Sequence, residues 1–189
     1  MSEKEHPSYE RAYELYHKDK FHQSIAELEQ LIKMEPRNSD AHFLLGIVFS
    51  DVKQFERAVI EFNHALELDP NNLNVYKCLA ITYCQKAERT KSRSDRLLVV
   101  SYYERVLEAV PGDVDALGGL ALALWFVQEH ERAIATITSA VNANLKNTEL
   151  IHNYWWLQGR MFFLSLRQGR WRRAQKAARE IRSIWVKID

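Results

Sequence analysis

Turn-forming residues are scarce in this chain: six glycines and four prolines in 189 residues exclude a loop-rich or disordered polypeptide. Cysteine is scarcer still. Cys78 and Cys84 are too few for a disulfide framework and too awkwardly spaced for a zinc site, so both read as reduced thiols. The longest nearly apolar run, Ala116 to Val127, has 12 residues and is too short to span a bilayer. Catalytic signatures are missing as well: there is no Gly-rich phosphate loop, no His pair at metal spacing and no G-x-S-x-G elbow. The seven histidines are scattered along the chain and read as surface or packing residues. These absences predict a protein that is not an enzyme and uses neither cofactor nor metal. The segment MSEKEHPSYE is charged and lacks the apolar stretch of a signal peptide, which makes the cytoplasm the expected location.

Charge is almost balanced overall, at +1, but it is unevenly spread. Residues 160–189 hold nine Lys/Arg against Glu180 and Asp189, a net of +7, which leaves −6 for the remainder. Apolar residues make up 47% of the sequence, enough for a continuous core. Three prolines punctuate it. Pro36 and Pro70 lie 34 residues apart, and Pro111 follows after 41, which is 34 plus two helical turns. Each closes a helix-like stretch, in LIKMEPRN, ALELDPNN and VLEAVPGD. Proline lacks a backbone donor and clashes with the preceding turn, so it stops helices naturally.

Small residues recur at a fixed distance before each boundary, once seven extra residues are allowed in the third unit. Ala12, Gly46 and Ala80 occupy one slot, and Ala121 joins them if Leu145 takes the place of a fourth boundary proline. Ser24, Ala58, Val99 and Ala133 fill a second slot, and Leu31, Ala65, Val106 and Ala140 a third. Larger apolar residues fall between them: Leu15, Phe49, Tyr83 and Leu124, then Leu28, Phe62, Tyr103 and Ile137. Spacings of three and four place these residues on one helical face. The pattern describes a helical hairpin in which small residues permit close approach and large ones fill the space beside them. One hairpin cannot bury its own apolar face, so stability must come from stacked copies.

The pattern resembles the tetratricopeptide (TPR) family, whose unit is a 34-residue helix–turn–helix. The clearest copy is 39–72, with Leu45, Gly46, Phe49, Phe55, Ala58, Phe62, Ala65 and Pro70 in the family's slots. Residues 5–38 match mainly in the second helix, and Arg11 and Ser24 depart from the usual residues. Residues 73–113 carry a seven-residue insertion, 114–147 form a fourth copy, and 148–189 read as a divergent fifth hairpin that caps the array. The resemblance implies an all-α protein, a single right-handed α–α superhelix of about ten antiparallel helices. In its fifth hairpin the first helix is expected from about Thr148 to Gln168. Trp171, Ala174, Ala178, Ile181 and Trp185 would then share one face of the last helix.

In the resembled family the first helices of successive repeats line a concave groove that holds peptides. The corresponding residues here are Tyr9, Tyr13 and Tyr16, then Phe43 and Ile47, then Lys77 and Ile81, then Leu122 and Trp125, and finally Trp156. One branch of the family grips a carboxylate tail with Lys, Asn and Arg. The equivalent places here hold Tyr9, Tyr13, Leu44, Asn74 and Cys78, so that clamp is absent. The expected ligand is an apolar or amphipathic segment of a partner protein, with Tyr9, Tyr13 and Trp125 as anchors. The expected role is a scaffold or adaptor.

Four points stay open. Gly118–Gly119 suits either tight helix stacking or the close approach of a ligand backbone. The insertion KAERTKSRSDR suits either extra helix or a polar loop. The last helix is either a plain cap or a contact for nucleic acid or an anionic membrane through Arg167, Arg170, Arg172, Arg173 and Arg179. Self-assembly, with one copy's end in another copy's groove, is the remaining alternative.

Overall fold

The computed structural model describes residues 7–188, with side chains as far as Ile184. Among the described residues there are ten α-helices and no strand. The chain divides after Thr90 into two compact units. The first holds α1 (Tyr9–His17), α2 (Phe21–Met34), α3 (Ser39–Asp51), α4 (Phe55–Leu68) and α5 (Leu73–Thr90). The second holds α6 (Arg93–Ala109), α7 (Val114–Phe126), α8 (His130–Ala143), α9 (Thr148–Arg167) and α10 (Trp171–Ile188).

Local chemistry sets the helix ends. Asn38, Asp113 and Asn147 each accept a backbone N–H three residues on, at 3.0, 2.9 and 2.9 Å, and so cap α3, α7 and α9. Glu35, Asp69 and Val110 close α2, α4 and α6, each directly before one of the boundary prolines. Within the hairpins the chain turns through a left-handed residue: Asp19, Lys53, Gln128 or Gly169, with φ of 56, 62, 72 and 69°. Only Gly169 takes that conformation without a Cβ penalty.

Helices α1 and α2 form one hairpin and α3 and α4 the next, with α5 laid against both α3 and α4. Contact is closest at Gly46. A Cβ built there would stand 2.6 Å from Cδ1 of Phe62, so the phenyl ring rests directly on the α3 backbone. Phe62, Ala58, Ala65, Leu28 and Ala12 are fully buried around these crossings. Ser24, out of pattern in the sequence, donates its hydroxyl to the Ala12 carbonyl at 2.8 Å, replacing the missing methyl contact with a buried α2–α1 hydrogen bond.

In the second unit α6 packs on α7, and the hairpins α7/α8 and α9/α10 follow. Gly119 lies beneath Tyr103 of α6: an added Cβ would sit 2.3 Å from Cζ. Gly118 faces α9, with Leu150 Cδ2 at 3.3 Å from such an atom. Both glycines therefore serve helix stacking, not ligand approach. The insertion is helical. Helices α5 and α6 have 18 and 17 residues against 13 and 14 for α3 and α4. They are separated by a turn at Lys91 and Ser92, whose hydroxyl caps α6 by accepting from Asp95 N at 3.1 Å.

Helix α9 runs Thr148–Arg167, one residue short of the expected end. The face expected of α10 needs correction. Ala174, Ala177 and Ile184 are the buried residues, while Ala178 is exposed, Ile181 is partly exposed and Trp171 is 65% exposed. The side chain of Trp185 lies outside the described residues. Trp171 opens the helix directly after the Gly169 turn, before the stripe that meets α9 begins. Phe163 of α9 is 70% exposed.

Candidate protein-interaction faces

In the first unit the first helices α1, α3 and α5 are neighbours, and their shared face carries the aromatic stripe. Tyr9 and Tyr13, one turn apart, stack with ring centres 6.2 Å apart. Tyr13 meets the edge of His17 at 4.2 Å, and Tyr16 packs near Phe21 at 6.0 Å. The Tyr16 hydroxyl donates to Asp51 Oδ2 at 2.8 Å, tying α1 to the end of α3. Burial, aided by that carboxylate, pushes the Tyr16 phenol up to about 12. Next along the face, Ser50 and Thr82 join their hydroxyls at 2.9 Å in a buried α3–α5 bond, and Thr82 donates onward to the Cys78 carbonyl at 2.8 Å.

The face therefore has a polar, fixed base and an apolar rim. Tyr13 and Ile81 are 46% and 47% exposed. Tyr9, Tyr16, Phe43, Ile47 and Lys77 are half-buried between them. Leu44, in the resembled clamp position, is buried and faces the core. The buried Ser50–Thr82 bond and the exposed Tyr16–Asp51 bond tie α1, α3 and α5 together, so the helices that carry these apolar groups are already fixed relative to one another before a ligand binds.

The two thiols differ along this helix. Cys84 is exposed, whereas burial, with the Asp51 charge adding to it, pushes the Cys78 thiol up to about 11. The fold thus favours the neutral Cys78 thiol. Any stability drawn from it is intact below about pH 9, the ordinary thiol value, and is lost as pH rises from there toward 11. A thiol-labelling time course at pH 8 should show Cys84 reacting first and Cys78 at least about tenfold more slowly, because thiolate is the reactive form. Equal rates would contradict this environment.

In the second unit Leu122 is half-buried and Trp125 is only 7% exposed. The Trp125 ring lies 4.2 Å from His130 and meets Trp156 edge-on at 6.1 Å. Burial lowers the His130 pKa and keeps that ring neutral beside the indole. Arg160 sits over Trp156 at 4.9 Å, and Phe126, 48% exposed, leans on the same indole at 6.2 Å. Phe126 escaped the sequence reading because it lies one residue beyond the first-helix slots. Burial also pushes Tyr154 up to about 12, with Glu180 adding to the rise and the neighbouring Gln158 amide opposing it. The Tyr154 hydroxyl nevertheless makes no hydrogen bond of good geometry.

Arg167, Arg170, Arg172, Arg173 and Arg179 are all exposed. Arg173 pairs with Glu131 at 2.5 Å, and Arg179 Nε donates to the Gln175 carbonyl at 3.4 Å. Among the described residues no group of three or more His, Cys, Asp or Glu is placed to hold a metal ion, and no helix is long and apolar enough to cross a membrane.

The family model described as Tetratricopeptide repeat matches residues 9–72, the hairpins α1/α2 and α3/α4. The chain therefore carries tetratricopeptide repeats across those residues. Its TPR solenoid fold is shared with MamA 41-end from Desulfovibrio magneticus RS-1, at a TM-score of 0.72 and 17% identity over 95% of this chain and 91% of that one. It is likewise similar to YrrB, whose crystal structure is described as a TPR protein with an unusual peptide-binding site. That likeness has a TM-score of 0.69 and 13% identity, covering 92% of this chain and 82% of the other. In sequence the chain is 32% identical over 74 residues to Cell division cycle protein 27 homolog A of Arabidopsis thaliana, covering 39% of this chain. It is 29% identical over 65 residues, 34% of this chain, to Anaphase-promoting complex subunit 3 of Dictyostelium discoideum. The match spans 10% and 7% of those two relatives' lengths.

Proposed function

We propose that this TPR protein is a noncatalytic adaptor that works in the cytoplasm. The first-helix face of its first unit holds an apolar or amphipathic segment of a partner protein. The observation that carries this reading is the exposed pair Tyr13 and Ile81, set on a base fixed by the Tyr16–Asp51 and Ser50–Thr82 bonds. Aromatic anchors of this kind dominate binding energy at protein interfaces. Support also comes from names: one relative is a subunit of the anaphase-promoting complex, and YrrB has a peptide-binding site. Tyr9, Tyr16, Phe43, Ile47 and Lys77 complete the proposed contact, and Leu122 and Trp156 form a corresponding face on the second unit, where Trp125 is a packing residue.

Affinity capture from native cells, with the wild type beside Tyr13→Ala/Ile81→Ser, tests the reading. Both side chains are half exposed, so the variant should melt within a few degrees of the wild type. Its recovery of the partners specific to the wild type should fall about thirtyfold, equivalent to roughly 2 kcal/mol. Undiminished recovery would remove the face from consideration.

A further inference from the structure

The second helices of the hairpins are joined by a repeated ion pair. Arg57 of α4 reaches Glu29 of α2 at 2.7 Å and also donates to Gln54, three residues before it, at 3.0 Å. Arg132 of α8 repeats the fork, bonding Glu104 of α6 at 2.7 Å and Glu129 three residues before it. Each arginine directly precedes a buried alanine, Ala58 or Ala133.

Arg173 of α10 occupies the same slot before the buried Ala174, but both of its acceptors have been replaced. Arg170 stands where Gln54 and Glu129 stand, and Thr138 of α8 takes the place of Glu29 and Glu104. Arg173 turns instead to Glu131, in a pair whose side chains are 50% and 71% exposed. Such a pair is screened by water and opens easily.

A cleft of about 670 Å³ lies between α8 and α10, lined by the cations Arg173 and Lys176, the carboxylates Glu131 and Glu180, and Gln158 and Met161 of α9. Two polar atoms are buried without hydrogen-bond partners in residues that line it, Thr138 Oγ1 and Gln158 Oε1. Gln158 is fully buried, and its Nε2 donates to Glu180 Oε2 at 2.9 Å, which orients the amide and leaves Oε1 to accept. Unpaired polar atoms in such a place cost stability until a ligand satisfies them.

We infer that this cleft is a second binding site, independent of the Tyr13–Ile81 face, for a peptide segment bearing an acidic side chain. The ligand carboxylate takes the vacant place in the ion-pair ladder, accepting from the Thr138 hydroxyl and the Arg173 guanidinium. A backbone N–H of the same segment donates to Gln158 Oε1. The Arg–carboxylate fork supplies charge-assisted bonds, and the amide supplies direction.

Fluorescence anisotropy on the full chain tests this, using fluorescein-labelled Ala-rich octapeptides that differ only in a central Glu or Gln. The Glu peptide should bind at least about tenfold more tightly at low salt. Thr138→Glu rebuilds the internal rung and should abolish that preference while leaving the melting temperature unchanged or higher. Arg173→Ala, at an exposed position, should cost about tenfold in affinity without loss of stability, and it decides the matter should Thr138→Glu misfold. Equal affinity for the two peptides would overturn the proposal, as would a preference that survives in folded forms of both variants. Complete competition by an equimolar amount of free N-acetylglutamate would overturn the peptide as the ligand.

Discussion

Phe62→Ala should destabilise the first unit by about 3–5 kcal/mol, the range for removing a buried aromatic ring. The ring is fully buried, lies on the Gly46 backbone and sits 6.1 Å from Phe43. The cavity would open at the crossing of α3 and α4, which the small residues on both helices have brought close together. The reverse perturbation is smaller. Gly46→Ala forces a methyl to within 2.6 Å of that ring and should cost about 1–3 kcal/mol by overpacking. Combining Gly46→Ala with Phe62→Leu should give less than the sum of the single costs, because the shorter side chain frees the space the methyl needs. Urea unfolding followed by circular dichroism measures all three terms. Additive costs would mean that Gly46 and Phe62 do not share one packing site.

Trp125→Ala should also cost about 3–5 kcal/mol, here in the second unit. Only 7% of Trp125 is exposed, and its indole holds His130 and Trp156 in place. From the sequence this residue is an expected ligand anchor, since tryptophan is enriched at interface hot spots. With so little of it reachable, its removal acts on stability before it acts on binding. A thermal melt should therefore fall by several degrees, and any loss of capture by this variant must be read at equal folded fraction. An unchanged melt would show that the indole contributes little to packing and would return Trp125 to the list of anchors.

The hairpin pattern was legible because its physics is local and repeated. A proline after α2, α4 and α6, and small and large apolar residues recurring in fixed slots such as Gly46 and Phe62, all act within one hairpin. The insertion was not legible, because KAERTKSRSDR has charges and hydroxyls that suit a solvated helix as well as a loop. Ser92 settles it by capping α6, and that choice depends on where α5 ends. The face of α10 was misread for a related reason. Counting from Trp171 gives a plausible stripe, but α9 meets the stripe one position away, through Ala177 and Ile184. Exposure was the least legible property. Tyr13 and Trp125 carry the same sequence signal, yet one is open and the other enclosed by His130 of α8 and Trp156 of α9. The ladder of Arg57 and Arg132 joins residues 28 apart in chain order, its interruption sets Arg173 and Thr138 35 apart, and both become visible only when the helices are side by side.

The central claim is that a partner segment lies along α1, α3 and α5. The most direct measurement adds the segment recovered by capture, as a synthetic peptide, to isotopically labelled full-length protein and maps the amide shifts. The largest shifts should fall at Tyr9, Tyr13, Ile47 and Ile81, with little change at the exposed Met34 and Ile60 of the second helices α2 and α4. Shifts centred on Met34 and Ile60, with the Tyr13 and Ile81 amides unmoved, would contradict the account.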